Sequence, residues 1–207
     1  MKRIVVTLAL GIAVSALQTA TAQTILVNSW ENSVEGWGTL EANWTSGGFS
    51  TTTGVTQGSY SWILNAAGSP DYGAALGGTA STALTADLAN AASVSVDVYA
   101  TGFSYMQWDL TLNGGGLGYQ STDGYTYSQS PVIGTESTLT FTIPSSFRAT
   151  LAANPTIATS LNFQIGGGNP GTVYLDNLVV TEVPEPASLA LMGLGAVGLV
   201  LFRRRNS

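Results

Sequence analysis

The chain has 207 residues, of which six are basic and twelve acidic, and it contains neither cysteine nor histidine. The composition therefore excludes disulfides, thiolate metal sites and catalysis by a histidine base. Between residues 23 and 183, eleven acidic residues accompany one basic residue, a net charge of −10. That balance excludes nucleic acid as a partner, because phosphate binding requires clustered Lys and Arg.

Residues 1–22 have the features of a secretory signal peptide. Lys2 and Arg3 precede a short apolar stretch, and Ala20-Thr21-Ala22 follows as a small-x-small cleavage site. The alternative is an uncleaved anchor helix, but the apolar stretch is shorter than a typical membrane span. The sequence thus predicts export from the cytoplasm.

Apolar and polar residues alternate with a period of two in several segments between residues 24 and 182. Each segment predicts a strand with one face on a core and the other in water. The predicted strands cover 24–28, 60–64, 94–99, 106–112, 138–143, 161–165 and 172–181. Glycine clusters at 47–48, 77–78, 114–116 and 166–168 predict turns between them. One short helix is predicted at 145–153.

Many strands with turn signals and little helix predict an all-β protein, an antiparallel β-sandwich. Trp62 and Trp108 fall on the inward phase of their strands and are predicted to lie in the core. Seven other aromatic residues are predicted to lie in loops or to face outward: Trp37, Trp44, Tyr72, Tyr105, Tyr119, Tyr125 and Tyr127.

Three stretches resemble the strands of galactose-binding-like jelly-roll carbohydrate-binding modules. They are SWENSVEGW at 29–37, QGSYSW at 57–62 and VYLDNLVV at 173–180. The resemblance implies one jelly-roll domain at 23–182 whose first and last strands are neighbours. It also implies a structural calcium held by Glu31 and Asp176, with backbone carbonyls near Gly58. The alternative is that Asp176 ends a strand and bonds the backbone of a turn.

Aromatic side chains carry the prediction of a sugar-binding site, because sugar rings stack on Trp and Tyr. The candidate ligand-binding residues are Trp37, Tyr119, Tyr125 and Tyr127. The alternative is ordinary sandwich packing with exposed loop tyrosines. A glycoside hydrolase would need a pair of carboxylates. The candidates Glu31, Glu35, Asp97 and Asp109 show no recognisable acid–base pattern, so we expect no enzyme.

The C-terminal segment has three parts in a fixed order. Val183-Pro184-Glu185-Pro186 comes first, the uncharged residues 187–202 follow, and Arg203, Arg204 and Arg205 come next. The middle part predicts a transmembrane helix with the arginines on the cytoplasmic side. The two prolines keep the backbone extended before that helix. A simple single-pass anchor is the alternative explanation.

This segment, 183–207, resembles the PEP-CTERM sorting signal. The resemblance implies transient recognition by an exosortase, a membrane-embedded protease of Gram-negative bacteria that make exopolysaccharide. The expected route is an inner-membrane intermediate, followed by processing and transfer to the cell surface or extracellular matrix. The expected role is non-catalytic, either a structural or adhesive component associated with exopolysaccharide or a carbohydrate-binding module with a defined glycan.

Overall fold

The computed structural model describes residues 22–184, and residues 24–182 form one compact unit. The predicted membrane helix at 187–202, the three arginines and nearly all of the predicted signal peptide lie outside the described residues. Between residues 22 and 184, no helix is both long and apolar enough to cross a membrane.

The described chain consists of eleven strands and two short helices. In chain order they are β1 (Thr24–Asn28), β2 (Trp37–Thr39), β3 (Trp44–Ser50), β4 (Ser61–Ala66), β5 (Asp71–Gly78), α1 (Thr82–Ala89), β6 (Ala91–Thr101), β7 (Tyr105–Gly114), β8 (Gly118–Ser121), β9 (Glu136–Thr142), α2 (Ser145–Ala153), β10 (Thr159–Gly168) and β11 (Gly171–Glu182).

The strands form two antiparallel sheets. The first sheet has the order β3-β4-β11-β6-β9, with β1 pairing β11, and the second has the order β2-β5-β10-β7-β8. Strand β11 pairs β4 through Gly171–Leu175 and β1 through Leu178–Thr181, so β1 continues the line of β4 along the same edge. The first and last strands are therefore neighbours, as the sequence predicted.

The core lies between the two sheets and is filled from both. Phe141 on β9 of the first sheet lies 5.8 Å from Phe163 on β10 of the second, measured between ring centroids. Trp62 and Trp108 are 1% and 0% exposed, which confirms their predicted core positions. Burial of such large side chains is the main favourable contribution to folding. The architecture confirms the predicted all-β sandwich of jelly-roll type.

Helix α1 was not predicted from the sequence. Ser81 precedes it in an extended conformation, and its hydroxyl accepts a hydrogen bond from the Leu84 amide, as an N-cap does. Leu88 is buried one turn after the partly buried Leu84. The Ser81 cap and this i, i+4 leucine pair were the available signals.

Three of the predicted glycine turns are wrong. Gly47-Gly48 lies within β3, Gly77-Gly78 ends β5, and the triplet at 166–168 ends β10. Only the cluster at 114–116 connects two strands, β7 and β8. Glycine within a strand marks a place where another group approaches the backbone closely. In β5 and β10, the approaching groups belong to the candidate site.

Candidate functional site

The outward face of the second sheet is called here the polar face. Its side chains on β10 are polar, and yet they are buried. Every residue of β10 from Thr159 to Gly167 is buried, on both faces of the strand. Ser160, Asn162 and Gln164, which alternate with the core residues, are only 7%, 6% and 6% exposed. The prediction that this face of the strand lies in water is therefore wrong. Polar side chains at the bottom of a concave surface are typical of a binding site.

A groove of about 590 Å³ opens along one half of the polar face. Its lining carries no charged side chain and consists of Gly36, Trp37, Gly38, Leu40, Gly77, Gly78, Thr79, Asn113, Tyr119, Ser160 and Asn162. A Cβ atom on Gly77 would lie 2.4 Å from Oδ1 of Asn162 and 2.9 Å from Cδ1 of Leu40. A Cβ on Gly38 would meet nothing within 4 Å, which places it over open space.

Beside the groove, two tyrosines are joined through one amide. The hydroxyl of Tyr127 donates to Oε1 of Gln164, and Nε2 of Gln164 donates to the hydroxyl of Tyr119 at 3.1 Å. Among the described residues Tyr119 Oη donates to no acceptor, and the ring is 39% exposed. The hydroxyl proton of Tyr119 is thus available to a ligand at the groove wall.

A third tyrosine packs against this pair. The rings of Tyr72 and Tyr127 meet edge to face with centroids 4.8 Å apart, and Tyr127 Oη lies 2.6 Å from the carbonyl oxygen of Tyr72. The hydroxyl of Tyr72 donates to Oε1 of Gln107 at 2.7 Å. The ring occupies the space that a side chain at Gly166 would need, since a Cβ there would lie 2.2 Å from Cε1 of Tyr72. The glycine in β10 thus makes room for a residue of the site.

Three tyrosines of the site have strained backbones. Tyr72, Tyr125 and Tyr127 have φ angles of 61°, 63° and 53°, in the left-handed region that bulky residues rarely adopt. Such strain persists only where surrounding contacts enforce it, and it concentrates at functional positions.

Residues 122–129, called here the tyrosine loop, are held together by two side chains. The hydroxyl of Ser121 accepts from the amides of Asp123 and Tyr125 and donates to Oδ1 of Asp123. The carboxylate of Asp123 accepts further hydrogen bonds from the amide and hydroxyl of Thr126 and from the amide of Ser128. Burial raises the pKa of Asp123, but these hydrogen bonds outweigh it and hold the pKa well below its ordinary value. The ionised Asp123 therefore organises the loop.

Beneath the loop lies Asp109, which points to the polar face from β7. It is 0% exposed, and neither carboxylate oxygen has a hydrogen-bond partner among the described residues. Burial raises the pKa of Asp109 to about 7, and the nearby charge of Asp123 acts in the same direction. Burial and the neighbouring Asp109 also raise the pKa of Tyr127 to about 12, so this tyrosine stays protonated at neutral pH.

Two of the predicted aromatic positions are wrong. Trp37 is 7% exposed and Trp44 is 2% exposed, so both belong to the core. The Trp37 ring stacks on Phe163 at 5.5 Å and meets Trp30 edge to face at 5.7 Å, which leaves only an edge at the groove wall. The ring therefore offers little area for a sugar to stack on, and the role of Trp37 in ligand binding stays a prediction. Tyr119 and Tyr125 are 39% and 46% exposed and Tyr127 is half-buried; their role in ligand binding stays a prediction.

The two predicted calcium ligands reach the same loop, Asp176 from β11 and Glu31 from the segment between β1 and β2. Oδ2 of Asp176 accepts from the amides of Thr56 and Gln57 at 2.6 and 2.7 Å, and the carboxylate of Glu31 accepts from the amide of Ser59 at 3.0 Å. These are N–H donors rather than the carbonyls that a calcium ion needs. Between residues 22 and 184 no group of three or more acidic side chains could hold a metal ion. The contacts fit the alternative turn-bonding role of Asp176, and the calcium site stays a prediction.

The structure separates the carboxylates considered for a hydrolase. Asp97 lies on the outer face of the first sheet, where it accepts hydrogen bonds from Thr56, Thr138 and Asn177. Asp109 lies on the outer face of the second sheet, and Glu31 binds the loop before β4. Glycosidases need both carboxylates on one bound sugar. Asp97, Asp109 and Glu31 do not meet that condition together.

Sequence reasoning missed Gln107, Ser121, Asn162 and Gln164 as site residues, and it considered Asp109 only as a hydrolase carboxylate. The signal was present, because amides and glycines within strongly apolar strands indicate a covered polar face rather than a solvated one. The pairing of β10 with β7 brings these side chains together on the face that carries the tyrosines, and that pairing could not be predicted from the sequence.

Residues 182–205 match the family profile of the PEP-CTERM protein-sorting motif. The chain carries a PEP-CTERM sorting motif. This motif is the mark of an exported protein, in agreement with the prediction from the sequence. A comparison with curated protein sequences gives no match.

The sandwich at residues 24–182, called here the body of the chain, is similar to several solved structures. One is the C-terminal family 22 carbohydrate-binding module of Clostridium thermocellum Xyn10B, with 17% identity over 81% of this chain and 97% of that chain and a TM-score of 0.48. Another is the family 11 module from Clostridium thermocellum in complex with a β-1,3-1,4-mixed-linked tetrasaccharide, with 12% identity over 81% and 99% of the two chains and a TM-score of 0.47.

An exo-β-agarase structure is similar over 79% of this chain and 25% of its own, with 12% identity and a TM-score of 0.51. The agarase match supports the sandwich fold of the body. Identities this low show the fold alone, and the ligand must be argued from the site itself.

Proposed function

We propose that the protein is an exported, exosortase-processed protein of the cell surface or extracellular matrix that binds a glycan without catalysis. The observation that carries the proposal is the polar face, where an uncharged groove adjoins tyrosines held by amide side chains. The glycan-binding alternative is favoured over a purely structural role, because a structural sandwich has no need of a covered polar face or strained tyrosines.

The chemistry of the polar face suits sugars. A sugar ring presents flat C–H surfaces to aromatic rings and hydroxyl groups to amides and phenols. Tyr119 and Tyr125 supply exposed rings, and the hydroxyl of Tyr119 has a proton to donate. Asn113 and Asn162 supply amides within the groove itself.

The charge of the body selects among glycans. Arg148 is the only basic residue between 23 and 183, and its guanidinium donates to the carbonyl oxygens of Ala91 and Ile143. A polysaccharide rich in carboxylates or sulfates would therefore meet a net charge of −10 without a cation to pair with. The site fits a neutral polysaccharide.

The sorting motif supplies the route to that ligand. Pro184 is exposed just after β11, at the end of the compact unit. In the proposed route the exosortase recognises Pro184-Glu185-Pro186 while residues 187–202 hold the chain in the inner membrane. Processing then places the sandwich among the exopolysaccharide of a Gram-negative cell.

The test uses the purified full chain on an array of neutral and acidic polysaccharides. We expect saturable binding to a neutral glycan that Tyr119→Ala weakens about tenfold, roughly the 1.4 kcal/mol of one ring contact. Tyr99→Ala is the matched control, since Tyr99 lies on the outer face of the first sheet. A flat array would reject glycan binding, and release of reducing ends from any polysaccharide would reject the non-catalytic role.

A further inference from the structure

The tyrosine loop is fastened to β7 on both sides of one buried acid. The amide of Thr122 donates to the carbonyl of Leu110 at 2.9 Å, and the amide of Trp108 donates to the carbonyl of Gln129 at 2.7 Å. Asp109 lies between these two points of attachment. The loop therefore arches over Asp109 and excludes water from its carboxyl group, which is 0% exposed.

The Ser121 hydroxyl and the Leu110 amide lie near enough to that carboxyl group to oppose the rise in its pKa, but neither has the geometry of a hydrogen bond to it. Neither oxygen accepts a hydrogen bond from a described residue. The hydroxyl of Ser121 lies close by, but its one proton goes to Oδ1 of Asp123. An ionised, unpaired carboxylate under the loop would cost several kcal/mol of desolvation. The charge must be neutralised or the loop must open.

The carboxylate of Asp123 faces Asp109 from the loop, and the phenol of Tyr127 is a second titratable group close to it. Tyr119, Tyr125 and Glu41 in turn act on Tyr127. The two acids have opposite surroundings. Asp123 accepts four hydrogen bonds, from Ser121, Thr126 (twice) and Ser128, so it keeps its charge. Asp109 accepts none, so it keeps a proton. Unequal environments of this kind divide one proton and one charge between neighbouring acids.

We propose that Asp109 is a positioning residue for the glycan site, and that its carboxyl proton, donated to the Asp123 carboxylate, holds the tyrosine loop in its binding conformation. Loss of that proton places an unpaired negative charge on Asp109 next to the charged Asp123, and the repulsion opens the loop. Tyr125 and Tyr127 then lose the strained conformations that Ser121, Asp123 and Gln164 impose. The predicted effect on glycan affinity rests on the proposed function, whereas the predicted motion of the loop does not.

The direction of the pH effect follows from the shift. Burial raises the pKa of Asp109 to about 7 in the closed loop, against an ordinary value of 3.8 when the group is solvated. The closed loop therefore holds its proton more tightly, and closure is favoured at low pH. Between about pH 4 and 7 the closure equilibrium falls by up to tenfold per pH unit, and it levels off above that range.

The first measurement needs no glycan. Hydrogen exchange of the full chain, corrected for intrinsic rates, reports protection of the Tyr125, Thr126 and Ser128 amides from pH 5 to 8. In the wild type we expect protection to fall with pH as above. Asp109→Asn keeps a donor for Asp123 but cannot ionise, so its loop should stay protected throughout. Asp109→Leu removes the donor and should leave the loop open at every pH. Asp87→Asn, on helix α1, is the matched control.

Identical pH profiles for the wild type and Asp109→Asn would overturn the proposal. Closure of the loop by added calcium at pH 8 would also overturn it, because a metal ion and not a proton would then neutralise the two acids. The second measurement is glycan affinity over the same range, which should fall with pH in the wild type and stay constant in Asp109→Asn. Glycan binding that ignores pH while the loop titrates would overturn the positioning role. If protection of the loop amides falls with pH but the chain binds no glycan, the result would support proton-dependent closure of the tyrosine loop and reject only the proposed function.

Discussion

Tyr127 and Gln164 hydrogen-bond across 37 positions of sequence, from the tyrosine loop to the middle strand of the second sheet. The bond joins the most mobile kind of element, a loop, to the most buried strand of the sheet. Gln164 passes the connection on to Tyr119, so that one amide aligns two phenols beside the groove.

Removal of the Tyr127 hydroxyl tests this arrangement. Tyr127→Phe loses the contacts with Gln164 and with the Tyr72 carbonyl while it keeps the ring. We expect a loss of about 1 kcal/mol in unfolding free energy, the usual value of a hydrogen bond. Glycan affinity should fall more steeply, because Tyr119 loses its alignment. Denaturant titration and binding isotherms measure the two effects, with Tyr99→Phe as control. Equal, small losses in both variants would contradict the alignment role.

The groove itself can be filled without strain. Gly38→Leu places a side chain where a Cβ meets nothing within 4 Å, and Gly38 lies in the groove wall. We expect glycan binding to be abolished while the melting temperature changes little. Gly68→Leu is a matched control, because its Cβ also meets nothing within 4 Å and it lies outside the groove. Undiminished binding in Gly38→Leu would show that the ligand lies elsewhere.

The pH dependence of stability follows from Asp109 and Asp123. The pKa of Asp109 is raised to about 7 from 3.8, so the folded state retains a proton that the unfolded state releases, and stability falls as pH rises between them. The lowered pKa of Asp123 gives the opposite sign, with stability lost as pH falls below about 4. We expect a maximum near pH 4. Denaturant midpoints across pH measure it, and Asp123→Asn should abolish the loss of stability at low pH. A maximum above pH 7 would contradict the assignment to Asp109, and stability that stays constant below pH 4 would contradict the assignment to Asp123.

The calcium prediction is tested by chelation. Burial raises the pKa of Asp176, and the amides of Gln57 and Thr56 oppose that shift. Asp176→Ala leaves these two amides without their acceptor and should cost about 1–3 kcal/mol of stability whether or not calcium binds. Thermal melting with and without chelator separates the two roles. An unchanged melting temperature would reject the metal site and leave the turn-bonding role.

The sorting motif predicts a defined product in the native host. The intact mass of the mature protein should correspond to a chain that ends near residues 183–186. A variant with Pro184→Ala and Pro186→Ala should keep its full C-terminal segment and remain in the membrane, because the extended peptide is lost. A wild-type mass that still includes Arg203 to Ser207 would contradict processing and leave a simple anchor.

Much of the fold was predictable because the signal is local. Apolar and polar residues alternate at 106–112 and 161–165, and this period of two is enough to predict β7 and β10. Glycine misled the prediction, since Gly77 and Gly166 lie in strands where Leu40, Asn162 and Tyr72 fill the space of a missing side chain. Nothing within a few residues of those glycines indicates that contact.

The sequence by itself determined export, the sorting motif, the sandwich and the scarcity of cations between residues 23 and 183, since each depends on composition or on patterns only a few residues long. The tertiary structure decided which face would bind. Asn162, Gln164 and Asp109 read as solvated strand positions until the tyrosine loop and the groove walls cover them. The sequence predicts Trp37 to be an exposed loop residue, but in the folded chain its ring packs against Phe163 and Trp30. Burial is set by contacts between distant segments, and those contacts exist only in the folded chain.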